Sequence, residues 1–451
     1  MKKLLFTLIL IFLLSTSLWA MAKMSPAKQA ALKATTSQAL TLDDCFRYAF
    51  KRSEALAIKK EEIGRSFANF LEATGEVVGD FDFVVTDFHQ DSDGSSGASG
   101  SIGSTFSAPE RRERKFVMSQ PLFQGFKAIG ALTGSGSLAK QHREEWQRAK
   151  QLLFLDVVNF FYDRLRIEKD TEIISGIFTA SSDRIKELHG WEEIGRSRTS
   201  EVRTAESQHG VFGAQQAHLK GELAVSKNLM EFLTGVSVES KILKDAEIPQ
   251  VTEEKINFLE LANERPDVKA SLAAVQTARS AFIVAQSELW PKLSLDANLY
   301  EKREGFQSGT SWDTLFTFTV PLGKGGETIG KVKEAYSTWK QAKLFYSLTQ
   351  RTAEKEIKDA LDWWASSLER YHALDEAVKA AEQNFTLQKE EYEHRLVNNL
   401  DVLQALELLF ETKRDANAAY FDMKKNYWRL EVAKGNCCEK EVLSLREAPQ
   451  N

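Results

Sequence analysis

The chain is poor in the residues that staple a fold, bind metals or attract one class of charged partner. Three cysteines in 451 residues, Cys45 and the adjacent Cys437 and Cys438, make no disulfide framework. The adjacent pair is open to a vicinal bridge or to two unpaired tail thiols. Seven histidines show no ligand spacing, and neither HExxH nor CxxC occurs. No catalytic constellation, metal or cofactor is therefore expected. Lys and Arg number 59 against 64 Asp and Glu, which leaves no basic surface for nucleic acid. GKGGET (Gly323 to Thr328) puts its lysine before its last glycines, whereas a phosphate loop needs Lys and Ser or Thr after them. The paired acids Glu144-Glu145 and Glu192-Glu193 read as solvated helix faces, and Trp363-Trp364 as packing.

The one apolar run of note opens the chain. In MKKLLFTLILIFLLSTSLWAMA, Lys2 and Lys3 precede the stretch Leu4 to Leu14, and Ala20-Met21-Ala22 offers small residues for cleavage. This is the layout of a signal peptide over residues 1–22, with an apolar part too short for a full membrane span. Cys45 lies too far on for a bacterial lipid anchor. Without that segment 57 basic side chains face 64 acidic ones, a net charge of −7. No later stretch reaches 18 apolar residues, so an exported chain is either soluble or a β-barrel.

Proline is scarce, and its spacing is informative. The eight prolines leave two tracts free of it, Leu122 to Ile248 and Leu322 to Ala448, each 127 residues long. A proline inside a helix costs about 3 kcal/mol, so such tracts, rich in Ala, Glu, Lys and Leu, predict extended helices. Leu361, Trp364, Leu368, Tyr371, Leu374, Val378, Ala381 and Phe385 form one apolar seam at spacings of three and four. That seam suits a coiled coil or an amphipathic bundle helix.

The two tracts are copies. Pro121 aligns with Pro321, Gly125 with Gly325, Ile129-Gly130 with Ile329-Gly330, Ser200-Glu201-Val202 with Leu400-Asp401-Val402, and Gly235 with Gly435, all at an offset of 200. Arg65-Ser66 and Arg279-Ser280 match at an offset of 214, which places a longer loop in the first half. A repeat near 200 residues is far larger than a solenoid unit.

Alternating segments precede each helical tract. Leu293, Leu295, Ala297 and Leu299 face away from Lys292, Ser294, Asp296 and Asn298, and after a turn Phe316, Phe318 and Val320 face away from Thr317 and Thr319. Phe81, Phe83 and Val85 alternate with Asp82, Val84 and Thr86, and Phe116 and Met118 lie on the returning strand. Between these two strands runs the polar loop Asp91 to Ser104. Runs of about 9–11 residues cross a bilayer as tilted strands. Trp290, Tyr300 and Trp312 are candidates for interfacial girdles. Four strands cannot close a barrel, so a membrane reading demands oligomerisation. Half-buried strands of a soluble sheet are the other reading of the same pattern.

At this point the chain resembles the TolC-like outer-membrane factors over Leu40 to Gly435. The residues that carry the likeness are the duplication, both hairpins, ELWPKLSL (Glu288 to Leu295), NERPDV (Asn263 to Val268), Leu233-Thr234-Gly235 and both P-L-x-x-G turns. The resemblance implies a mainly α fold with a membrane β-barrel: long helical hairpins form an α-barrel, and four strands per chain join a trimeric 12-stranded barrel. It implies a signal peptide (1–22), a linker (23–40), a first repeat (41–235) and a connecting segment (236–255), then a second repeat (256–435) and a tail (436–451). Strands are expected at about 77–90, 112–120, 291–302 and 311–320, and helical hairpins at 121–235 and 321–435. Pro121 and Pro321, with Gly125 and Gly325, would mark where a returning strand becomes a long helix. Proline there would end ladder pairing and sit in the first helical turn.

The resemblance also implies an exit duct of the outer membrane, spanning into the periplasm. It would be a passive homotrimer in outer-membrane lipid, energised by an inner-membrane transporter through a periplasmic adaptor. Efflux pumps and type I secretion both use such a duct. A soluble periplasmic coiled-coil adaptor is the alternative. The helical tips would close the tunnel. Tyr392 and Asp401 match the family's constricting tyrosine and first ring aspartate. Gln404 stands at the second aspartate position and Val397 at the arginine position, which leaves Arg395 or Glu201 as nearby charges. A ring of Asp401 carboxylates would draw cations into the constriction, while an N-cap of the returning helix is the other role open to this residue. Gly195, Ser200, Val202, Leu400 and Val402 are the expected adaptor-contact positions.

Overall fold

The computed structural model describes residues 40–89, 110–236, 243–245, 257–304 and 309–435. The signal peptide, nearly all of the linker, the Asp91–Ser104 loop, most of the connecting segment and the tail with Cys437 and Cys438 lie outside those residues. The described elements run α1 (Leu42–Arg52), α2 (Glu54–Val78), β1 (Asp80–His89), β2 (Glu110–Gln124), α3 (Lys127–Glu193) and α4 (Thr199–Thr234). They continue with α5 (Phe258–Glu264), α6 (Pro266–Gln286), β3 (Lys292–Arg303), β4 (Trp312–Thr319), α7 (Glu327–Glu393) and α8 (Asn399–Ala433).

Helices α3 and α7 are both 67 residues long and begin 200 positions apart. At 1.5 Å per residue each is about 100 Å of rod, well beyond a compact domain. Along α3 lie α1, α2, α4, α6 and α8; along α7 lie α5, α6 and α8. Where α1 crosses α3, Phe46, Phe154, Val158, Phe161 and Tyr162 form a core with Leu40, Leu243 and Phe421. A second core joins Ala262 and Val268 to Ala353, Ile357 and Leu430, with Trp364 packed against it. Ile174, Ile177, Phe212, Leu406 and Phe410 build a third, lower core, with Phe385 packed against it. Every residue of the Leu361–Phe385 seam is buried or half-buried, whereas Trp363, one step off it, is 61% exposed.

The strands form one antiparallel sheet in the order β1-β2-β3-β4. Its register collects the apolar residues on one face. Phe81, Met118 and Ala297 stand side by side, as do Phe83, Phe116 and Leu299. Leu295 opposite Phe316 and Leu293 opposite Phe318 continue that face across β4. These side chains look outward, with Phe81 73% and Phe318 66% exposed. The other face is polar and bonded across strands: Ser119 Oγ donates to Asp296 at 2.6 Å, and Asn298 Nδ2 to Asp313 at 2.7 Å.

Tyr300 and Pro121 differ from the sequence reading. Tyr300 belongs to the polar face, where its hydroxyl donates to Asp313 at 2.7 Å, so it is no girdle residue. Trp290 packs edge-on against Phe126 at the foot of the sheet. Pro121 pairs with Ser294 inside β2, six residues before α3 begins, rather than in the helix's first turn. The register shifts between Pro121 and Phe123, and such an irregularity absorbs the missing N–H. Pro321 does follow its strand, just beyond β4. The change of direction falls to Gly125, at φ +61°, where an added Cβ would stand 2.6 Å from both Ser287 O and Trp290 Cβ. Gly325, at φ +56°, turns in open space.

Candidate functional site

The far ends of the long helices come together at one tip. Each turns back through five residues, 194–198 and 394–398, on a left-handed backbone: φ is +71° at Gly195 and +64° at Arg395. Trp191 O takes the amides of Arg196 and Ser197, while Glu391 O takes that of Leu396. Asn398 then caps α8 by accepting from the amides of Leu400 and Asp401. Asp401 returns the favour, accepting from Asn398 N at 3.0 Å. The N-cap is thus Asn398, and Asp401 is the reciprocal member of a capping box.

A buried arginine holds the two hairpins together. Arg184, 5% exposed, sits on the seam of α3 three residues after Ser181 and four before Leu188. Its Nε and Nη2 donate to Asn399 Oδ1 at 3.1 and 3.0 Å, and Nη1 donates to Glu187 at 3.2 Å. Its guanidinium lies 4.1 Å from the ring of Tyr392 and 5.3 Å from that of Trp191. Desolvated contacts of this kind are worth about 2 kcal/mol. Glu201 is the second junction. Its carboxylate accepts from Tyr392 Oη at 3.0 Å and from Ser197 Oγ at 2.8 Å, and its carbonyl accepts from Asn399 Nδ2 at 3.4 Å. Arg196 donates to Glu393 O at 2.8 Å, and Lys389 pairs with Glu187 at 3.2 Å. Burial, with the adjoining Glu201 carboxylate, pushes the Tyr392 hydroxyl up, so it stays a donor at neutral pH.

The sequence-predicted tip residues separate into three groups. Tyr392 and Glu201 bond directly, although they are 191 positions apart. Asp401 is half-buried beside the exposed Gln404, one helical turn on, while Val397 is half-buried and Arg395 exposed. Gly195, Ser200 and Leu400 are exposed, but Val202 and Val402 are each 1% exposed. The last two side chains are thus buried within the chain. Val202 packs with Leu188, Ala205 and Leu403 beneath the turns, and this tip core is its role. Arg184, Asn399, Trp191 and Ser197 were missed in the sequence. The available signal was an arginine at seam spacing between Ile177 and Leu188, which must find partners when buried.

Nothing at this tip is arranged for bond-making chemistry. Its geometry is a latch of charge-assisted hydrogen bonds over a small apolar plug.

Residues 259–436 match the family model described as outer membrane efflux protein. Nodulation protein T of Rhizobium leguminosarum bv. viciae is 24% identical over 310 residues, 66% of this chain and 64% of that protein. The outer membrane protein TolC of Vibrio cholerae is 21% identical over 339 residues, 72% of this chain and 77% of that one. Among solved structures, the outer membrane protein VceC of Vibrio cholerae superposes with a TM-score of 0.76 at 18% identity. That match covers 87% of this chain and 96% of the other. The chain thus spans just under two thirds of the nodulation protein's length. The matched family is one of channels rather than enzymes.

Proposed function

We propose that this chain, a relative of the outer membrane efflux proteins, is the outer-membrane exit duct of a tripartite efflux pump or type I secretion system. Three copies close a 12-stranded barrel and a continuous helical tunnel. The duct is passive, and an inner-membrane transporter drives export through a periplasmic adaptor that docks near the tips.

The sheet carries this reading. One face is apolar and outward, the other is polar, and its outer strands β1 and β4 each pair on one side only among the described residues. An open edge in lipid leaves backbone groups unsatisfied, so a bilayer requires further strands from other copies. Long helices continuous with each hairpin then line one tunnel. The latch between Arg184, Tyr392, Asn399 and Glu201 holds its periplasmic end narrow, with Asp401 and Gln404 on the adjoining face. Gly195, Ser200 and Leu400 are the exposed tip positions that meet the adaptor. A lone-hairpin adaptor does not fit a chain with two equal hairpins.

The test has two stages. Fractionation and mass determination in detergent should find a trimer in the outer membrane; a soluble periplasmic monomer would sink the barrel. In planar bilayers, Arg184→Ala and Tyr392→Phe together should raise single-channel conductance severalfold while trimers persist. Unchanged conductance would remove the latch from the closing mechanism.

A further inference from the structure

Away from the tip, α2 and α3 bring a metal-ligating trio together. The Nδ1 atom of His142 lies 3.2 Å from Glu145 Oε2 and 3.7 Å from Glu62 Oε2. The three ligand atoms fall within 4.8 Å of one another, and all three side chains are half-buried. Ligands at about 2.0–2.2 Å from a tetrahedral Zn²⁺ are spaced by about 3.3–3.5 Å, so these separations fit a single ion with small adjustments. The linear sequence hides the site because only His142 and Glu145 are near in sequence, while Glu62 comes from another helix.

A cation already marks the position. The Lys59 ammonium lies 2.8 Å from Glu62 Oε2 and 3.7 Å from Glu145 Oε2. Two carboxylates face this ammonium, with the Arg65 charge also acting on Glu62, and a divalent ion would take the place of the ammonium. Lys59 sits on a flexible stem, with its side chain 39% exposed, and has room to swing out. Gln141 Nε2 donates to the other oxygen of Glu145 at 2.9 Å and orients that carboxylate.

We infer that Glu62, His142 and Glu145 form a site for a divalent transition metal of the Zn²⁺ class, with water as the fourth ligand and Lys59 as the competing cation. The site has a mechanical reason to exist. Helix α2 runs 25 residues yet buries only Leu56, Ser66 and Ala73, and it leads straight into β1. A bridging ion would rivet this weakly packed helix to α3. The inference is independent of the duct reading.

Zn²⁺ alone, titrated calorimetrically into the full chain in detergent, is the test. Cys437→Ser and Cys438→Ser are built into every protein so that tail thiols do not compete. Binding at one ion per chain is expected, with a raised thermal midpoint. His142→Ala should weaken it at least tenfold and abolish the thermal rise. Lys59→Met should tighten binding by about tenfold, a gain that misfolding cannot mimic. Co²⁺ substitution should give the intense visible bands of a four-coordinate site, lost in Glu62→Gln. Equal Zn²⁺ affinity in the parent and His142→Ala proteins, or no tightening in Lys59→Met, would overturn the assignment.

Discussion

Phe126 and Arg395 hold left-handed backbones without being glycine, and each has a glycine 200 positions away, Gly326 and Gly195. The duplicated rod has a positive φ at both of these aligned positions, and each copy supplies glycine at only one of the two. A side chain in that region costs about 1–2 kcal/mol. Arg395 is exposed, and its backbone amide already bonds Tyr392 O at 3.0 Å. Arg395→Gly should therefore stabilise the tip by about 0.5–1 kcal/mol after the entropic cost of glycine in the unfolded chain. Slower hydrogen exchange at Leu396 would register it; faster exchange would show that the arginine side chain itself anchors the turn. The opposite outcome is expected at Gly125, where a methyl group would meet Ser287 O and Trp290. Gly125→Ala should cost about 2 kcal/mol or more, read from the unfolding midpoint. The Gly125 turn was visible in the sequence through its aligned Gly325, and Gly195 as a tip position. The Arg184 cage was not, because its partner Asn399 lies 215 positions away and neither residue belongs to a motif.

Helices α3, α6 and α7 are tied by a charge cluster around one buried arginine. Arg265, 1% exposed, caps α6 and donates to Asp267 at 2.6 Å and to Glu356 of α7 at 2.7 Å. Arg148 of α3 lies 3.7 Å from both carboxylates. Burial alone would raise the Asp267 carboxyl, but the Arg265 hydrogen bonds and the charges of Arg148 and Arg265 outweigh it and hold the group below its ordinary value. A depressed carboxylate stabilises the fold above its unfolded pKa, and that contribution disappears as pH falls through the folded value. Unfolding scans should thus show a loss beginning below about pH 4. Arg265→Met should cost about 1.5–3 kcal/mol at neutral pH, because Arg148 still faces both acids and Glu356 is partly in water, and it should shrink that acid-side loss. An unaltered acid limb in the variant would place the pH dependence elsewhere. At this scale the sequence was readable. Helix seams followed from three-four spacing, whereas the break between α5 and α6 at Arg265-Pro266 was not read from NERPDV, which entered only as a family likeness. The strand-to-helix junction was misread at Pro121 because a register shift lets a strand carry proline, and no local pattern announces a shift.

For the whole molecule, the outward apolar face of the sheet decides where the chain resides. Phe316, 65% exposed, lies in the middle of β4 opposite Leu295. A lysine at bilayer depth costs about 2–4 kcal/mol per chain, and in the proposed trimer three copies would share one barrel. Phe316→Lys should leave little heat-resistant trimer in the outer-membrane fraction, whereas Thr317→Lys on the polar face should assemble normally. Equal tolerance of both would argue against lipid on that face. The two-faced pattern was legible because strand alternation needs no partner to be read. The tip was legible only as a location, since its bonds join helices that sequence separates by nearly half the chain. The equal rods have one more consequence. Four helices, two of them 67 residues long, end level at a single latch, so their lengths are bound together like the legs of a table. Seven residues added to α3 alone would carry Arg184 about 10 Å past Asn399. Reach can change only by matched whole-turn insertions in all four rods at the same height, which makes the duplicated chain a ruler graduated in pairs of helical turns.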